Sequence, residues 1–183
     1  MRRIAPAAIL ALALAVGVRL AAADSAPAPG ELTFKAHNAV YNAEGRFDRW
    51  RFTKVDVPNG DITKGRVEIE VDLASVHESS DKLSAHLRTP DFLDVATFPK
   101  ATIAIGDAKA AGPKRYKATA SLDLHGVKAT CPVEFEVVSE KPLAIRGTAT
   151  LDRTAFKIGK PFSAGETLSI HNEVQIGLDA KLP

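Results

Sequence analysis

Five histidines and one cysteine are the side chains most able to do chemistry in this sequence, and their spacing argues against most of it. His37, His77, His86, His125 and His171 include no pair at the close i,i+4 spacing of a helical zinc site, and no Cys/His cluster accompanies them. Cys131 stands in phase with Val133 and Phe135, which predicts a buried thiol with no activating partner in view. No serine lies in a G-x-S-x-G context, so neither GETLS nor TAFKIG is a nucleophile elbow, and there is no glycine-rich phosphate loop. The densest polar grouping is His86, Arg88, Asp91 and Asp94 in AHLRTPDFLD. Arg88 offers a planar fork suited to a phosphate headgroup, but two nearby aspartates equally suit a salt-bridged corner, and the structural reading is preferred. His125, in LHG, reads as a strand-end residue whose ring meets backbone groups, with Gly126 supplying the turn. Arg153, in LDRTAF, reads similarly. A lipid-modifying enzyme would have to draw on His86, Asp91, Asp94 and His125.

These residues need elements to hold them, and the segment 85–104 organises the rest. Ser80 and Asp81 are candidate N-caps, and Leu83 and Leu87 share one helix face at i,i+4. Pro90 closes that helix, and Pro99 can open a strand but cannot sit within a sheet. Between them Phe92, Leu93, Val95 and Phe98 make an apolar corner, so the segment 80–98 reads as a plug or gate at the end of a β structure.

The remainder alternates with period two. Leu32, Phe34 and Ala36 begin it; Val67, Ile69, Val71 and Leu73 against Glu68, Glu70 and Asp72 give the cleanest row. Ala101, Ile103 and Ile105 follow, then Tyr116 to Leu124, Cys131 to Val137, Leu143 to Leu151, and Leu168, Ile170, Val174, Ile176 and Leu178 with Asn172 as the polar exception. Gly45 marks a bulge or a close approach, and Pro58-Asn59-Gly60-Asp61 and Gly112-Pro113 are turns. Eight or more half-buried antiparallel strands with one short helix mean an all-β sandwich or barrel, between which periodicity does not choose.

The chain has 183 residues, room for one domain with a sizeable core. MRR, the apolar run Ile4 to Val18 and Ala21-Ala22-Ala23 read as a signal peptide over 1–23, cleaved before Asp24. Arg19 and the short run argue against a retained membrane helix, and no cysteine follows for a lipoprotein anchor. Residues 24–30, DSAPAPG, read as a flexible linker, and 31–183 as the domain. Losing Arg2, Arg3 and Arg19 takes the 24 basic residues to 21 against 22 acidic ones, so the mature chain carries −1 and gives no ground for nucleic-acid binding. One cysteine forms no internal disulfide, so an exported chain stands on its core alone.

Three stretches resemble the YceI family of periplasmic proteins. HLRTPDFLDVATFPKATI (86–103) is similar to its signature segment, LDLHGVKATCPVEF (122–135) to its His-Gly strand pair, and LDRTAFKIG (151–159) to its Arg-x-x-Phe-x-Ile-Gly segment. With GRF at 45–47 the resemblance runs from Leu32 to Leu178. It implies an antiparallel lipocalin-like β-barrel of about eight strands with one short helix between strands. It also implies a periplasmic, non-enzymatic carrier of a long-chain isoprenoid, isoprenoid-quinone or other lipid, without cofactor, metal or stable membrane insertion, in a family often linked to stress responses. The opening departs from the family: PAPGELTFKAHN stands where an Asp-x-x-His-Ser segment is expected, and His37 follows Phe34 instead of preceding it. The resemblance therefore implies no headgroup contact from that opening in this chain.

A cavity is expected from the residues as well. Ala101, Ala118, Ala120, Gly147 and Ala149 fall on the presumed inner face, and an eight-stranded barrel is just wide enough to be filled by side chains or to hold one ligand. The lining candidates are Phe34, Phe47, Phe52, Val71, Phe92, Ile103, Leu122, Leu124, Phe135, Ile145 and Phe156, each of which a plain β core would also use. His86, Arg88, His125 and Arg153 are the polar candidates at the mouth. The competing reading is a filled barrel acting as a protein-interaction module. Nothing in the sequence decides between a monomer and a homodimer paired at barrel edges.

Overall fold

A computed structural model describes residues 28–183; the expected signal peptide, and residues 24–27 of the expected linker, lie outside them. Ala28 to Gly30 are not loose. Ala28 packs on the core, the Pro29 carbonyl accepts from Lys181 N at 3.2 Å, and Gly30 already pairs with Ala180.

Ten strand segments follow in chain order: β1 (Gly30–His37), β2 (Asn42–Phe47), β3 (Trp50–Asp56), β4 (Arg66–Asp72), β5 (Val76–Glu78), β6 (Lys100–Gly112), β7 (Arg115–Leu124), β8 (Val127–Glu140), β9 (Leu143–Asp152) and β10 (Glu173–Lys181). The helix α1 (Asp81–Leu87) stands between β5 and β6. Every pairing is antiparallel, in the order β3-β4-β6-β7-β8-β9-β10-β1-β2-β5.

The two end segments of that order continue inner ones. β2 runs through Asp48 and Arg49 into β3, and β4 runs through the turn Leu73–Ser75 into β5. Across the kink Asp48 N donates to Ser75 O at 3.2 Å, Asp72 N to Arg49 O at 3.0 Å, and Arg49 N to the Ser75 hydroxyl at 3.0 Å. β2–β3 and β4–β5 are therefore one long bent hairpin. The strongly curled sheet closes through it, and counted by path the ring has eight strands. Among the described residues, closure leaves no long open ladder.

Register explains the core. Val71–Ala101, Ile69–Ile103–Leu122 and Val67–Ile105–Ala120–Cys131 are cross-strand rows on one face, continued by Val133–Ala149–Ile176–Phe34. Alternation puts these residues inside and Glu68, Glu70, Lys117, Glu134 and Arg146 outside, where ion pairs such as Lys117–Glu134 (2.8 Å) and Lys100–Glu70 (2.9 Å) lace the surface. Trp50 anchors one end of the core, with Phe52 edge-on at 5.4 Å.

Two sequence expectations shift. Leu73 leaves β4 for the turn, where Asp72 accepts from Ala74 N. Leu168 and Ile170 stand in the loop before β10 instead of in it, because Arg153 takes the carbonyls of Ile170 and His171 that a ladder would need.

Candidate functional site

The inner face encloses a cavity of about 400 Å³ that runs from Val57, Ile62 and Leu182 at one end to Asn38, Tyr41, Leu83, His86 and Leu168 at the other. Its walls are almost wholly apolar, and its size falls in the range that takes one small-molecule ligand. Ten of the eleven lining candidates do line it: Phe34, Phe47, Val71, Phe92, Ile103, Leu122, Leu124, Phe135, Ile145 and Phe156. Phe52 does not; it packs on Trp50 behind the wall.

The small residues divide in the same way. Ala101, Ala120 and Ala149 line the cavity and leave room in it, whereas Ala118 does not reach it. Gly147 lines the cavity too, and a β-carbon there would stand 2.9 Å from Phe135 Cβ, so the glycine also seats Phe135, whose ring stacks on Tyr116 at 5.4 Å.

α1 and the corner close one end. Ser80 is the N-cap, its hydroxyl accepting from Leu83 N, and the corner is tied by Leu93 N to Leu87 O (3.0 Å) and Phe98 N to Asp94 O (2.8 Å), with Asp94 at φ 42°. Leu93 is buried with Phe34 and Val76, so the plug is driven into the barrel. Arg88 is not a mouth residue, nor does it pair with the corner aspartates. Its guanidinium donates to Ala74 O (2.9 Å) and Val76 O (2.6 Å), riveting the plug to the strand kink.

Arg153 lines the cavity but is spent. Only 6 % exposed, it donates to the carbonyls of His171 (3.0 Å), Ile158 (2.7 Å), Lys160 (2.7 Å) and Ile170 (2.6 Å). Burial pushes its pKa below the ordinary value of an arginine, and the neighbouring Asp152 works the other way. His125 lies off the lining. Its Nδ1 meets Phe156 O at 3.0 Å and its ring tilts on Phe98; since a carbonyl only accepts, Nδ1 carries the proton and the buried Nε2 has no partner. His86 is the one mouth candidate left open to the cavity, exposed on α1 and edge-on to Phe92 at 4.8 Å. Cys131 faces inward, its thiol pKa raised by burial. Among the described residues no three His, Cys, Asp or Glu side chains are grouped to hold a metal ion.

Sequence reasoning missed the polar node at the mouth. Glu78, 2 % exposed, lines the cavity and accepts from the Tyr41 hydroxyl at 2.7 Å, the Ser79 hydroxyl at 3.0 Å and Ser80 N at 3.0 Å. Burial alone would raise its pKa, but those hydrogen bonds to the ionised form, with a smaller Coulombic pull from His77, outweigh it and the net is lowered. Tyr41 is placed by a tight turn in which Asn38 Oδ1 accepts from Val40 N and Tyr41 N. The available signal was phase: Glu78 shares the inward side of Val76. Five large apolar side chains stand exposed in the loops and helix of this end, namely Val40, Tyr41, Leu83, Phe162 and Leu168. His171, sandwiched by His37 and Phe162 at 4.2 Å each, joins two of those loops.

Comparison with known proteins agrees with this architecture. Residues 24–182 match the model of the YceI-like domain. Relatives include a UPF0312 protein of Pseudomonas savastanoi pv. phaseolicola, 28 % identical over 146 residues and 75 % of each chain, and one of Vibrio parahaemolyticus, 26 % identical over 132 residues, 70 % of this chain and 69 % of its own. Among solved structures, Burkholderia cenocepacia BcnA superposes with a TM-score of 0.75 at 21 % identity, over 84 % of this chain and 96 % of its own. A polyisoprenoid binding domain from Saccharophagus degradans superposes at 0.57 and 18 % identity, over 84 % and 94 %. These two likenesses show a shared fold.

Proposed function

The chain belongs to the YceI-like domain family, and from that premise we propose that it is an exported, non-catalytic carrier that holds one long-chain lipid of isoprenoid or isoprenoid-quinone type inside its barrel. The observation that carries the reading is the apolar cavity running the length of the barrel beneath a plug. Each methylene-sized unit moved from water into it contributes roughly 0.8 kcal/mol, so a chain of many such units binds by burial alone. The polyisoprenoid ligand of the Saccharophagus degradans domain supports the same ligand class here.

In this reading the apolar rim of Leu83, Leu168 and Tyr41 is the doorway, and the segment 80–98 is its gate. Hydrogen exchange tests the gate: the amides of Leu87 to Phe98 slow on ligand binding, and equal exchange in free and bound forms would remove gating while leaving carriage intact. The carrier itself is tested by purifying the mature chain from its native periplasm and analysing an organic extract by mass spectrometry. A stoichiometric long-chain species supports it. An empty extract, together with no uptake of isoprenoid alcohols or quinones on titration, rejects it.

A further inference from the structure

Among the described residues, the mouth carries a buried anion, and the arginines beside it are spent on backbone carbonyls. Three ordinary charged residues contribute to the cavity lining: Glu78, Glu134 and Arg153. The Glu134 carboxylate is directed outward to Lys117 at 2.8 Å. The Arg153 guanidinium is consumed by four backbone carbonyls, and Arg88, the other fork at this end, by two. The remaining imidazoles of the lining are packed as rings, His37 on His171 and His86 on Phe92. Lys82, Lys157 and Lys160, which lie close in sequence to these elements, are exposed and outside the lining.

Glu78 is different. Its carboxylate is held by one backbone amide and two hydroxyls, all neutral donors; among the described residues no salt bridge is made to it, and the adjacent His77 acts on it only through space. An anionic headgroup arriving beside it would meet a like charge in a poorly solvated site. A headgroup without charge meets no such repulsion, and the Tyr41 hydroxyl and the Asn38 amide of the lining are polar groups it can hydrogen-bond.

Resting on the carrier reading, we infer that Glu78, held in place by Tyr41, is the headgroup-selecting residue: it admits long-chain ligands with an uncharged head, such as an isoprenoid alcohol, and rejects those that end in phosphate.

The test uses the full mature chain and two probes that share one tail, geranylgeraniol and geranylgeranyl monophosphate, each displacing a fluorescent fatty reporter at neutral pH. The expected result is binding of the alcohol about tenfold or more tighter than the phosphate. In Glu78→Gln that ratio falls toward one, chiefly because the phosphate gains, while the alcohol stays within about twofold. Glu78→Ala, which also removes the charge, is expected to lose the preference in the same way and serves where Glu78→Gln does not fold; an unchanged ratio in folded Glu78→Ala likewise overturns the inference. Equal or tighter phosphate binding by the natural chain overturns the inference but leaves the carrier standing, as does an unchanged ratio in folded Glu78→Gln. Binding of neither probe removes the carrier and the inference together.

Discussion

The Phe34 ring lies over Gly45 of the neighbouring strand, in the space a side chain at that position would claim. The two residues are register partners of β1 and β2, and a β-carbon built on Gly45 would collide with the ring and stand 2.5 Å from the His77 carbonyl oxygen. One missing methyl group thus lets an aromatic wall of the cavity lie flat across the strand. Gly45→Ala forces the ring off this seat, and overpacking of that kind costs typically about 1–3 kcal/mol. The expected outcome is a lower urea midpoint with unchanged slope, and weaker ligand uptake as Phe34 swings toward the cavity. An unaltered midpoint would show that the ring has other room.

Arg153 holds the long loop before β10 with one side chain. It joins residues 158, 160, 170 and 171, so its loss unpins both arms of the loop at once. Arg153→Met keeps the volume of the stem but leaves four carbonyls without their donor, a loss of about 3–5 kcal/mol by the measure of broken buried charge interactions. Arg153→Lys recovers only part, since an ammonium cannot reproduce the planar fork. Denaturant melts of the two variants check the order: natural chain, then lysine, then methionine. Equal melts for all three would mean that the loop is anchored elsewhere.

Most of the barrel was legible because its strands announce themselves by period two. Val67, Ile69 and Val71 could only be a strand with one buried face, and register then placed Ile103 and Leu122 beside Ile69. What was not legible is where an inward residue meets another inward residue rather than open space. Ala118 and Ala120 look alike in sequence, yet Ala120 faces the cavity and Ala118 does not reach it. The arginines misled for a related reason: a guanidinium that answers backbone carbonyls leaves no acidic partner in the sequence to betray it. Leu168 and Ile170 continue the apolar phase of β10, but the demand of Arg153 for their loop's carbonyls overrides it.

Acid weakens the mouth first through Glu78. Its folded pKa lies below the ordinary value of 4.5, so it contributes stability that is present above that value and is lost as the pH falls through the folded pKa. Asp152, whose carboxyl is lowered by the Thr154 hydroxyl and amide, acts in the same direction at the end of β9. Stability is therefore flat in these groups near neutrality and declines below pH 4.5. Glu78→Gln flattens part of that decline. Urea midpoints taken between pH 7 and pH 3 should show a shallower acid limb in the variant; parallel limbs would exclude Glu78 as a source of the decline.

Ala120 and Cys131 are register partners on β7 and β8, both buried and both facing the cavity, so one can fill it and the other can report on it. Burial raises the Cys131 pKa, and a thiol that is seldom ionised reacts slowly with a disulfide reagent at neutral pH. A bound chain should slow it further, because it would cover the thiol on the cavity wall. Ala120→Phe places a ring where the chain would lie, and ligand affinity is expected to fall by at least about tenfold, the equivalent of two or so methylenes denied their burial. Ala104→Phe, on the exposed face of β6, is the control and leaves affinity unchanged. If Ala120→Phe folds and binds as the natural chain does, the ligand lies elsewhere than between β7 and β8.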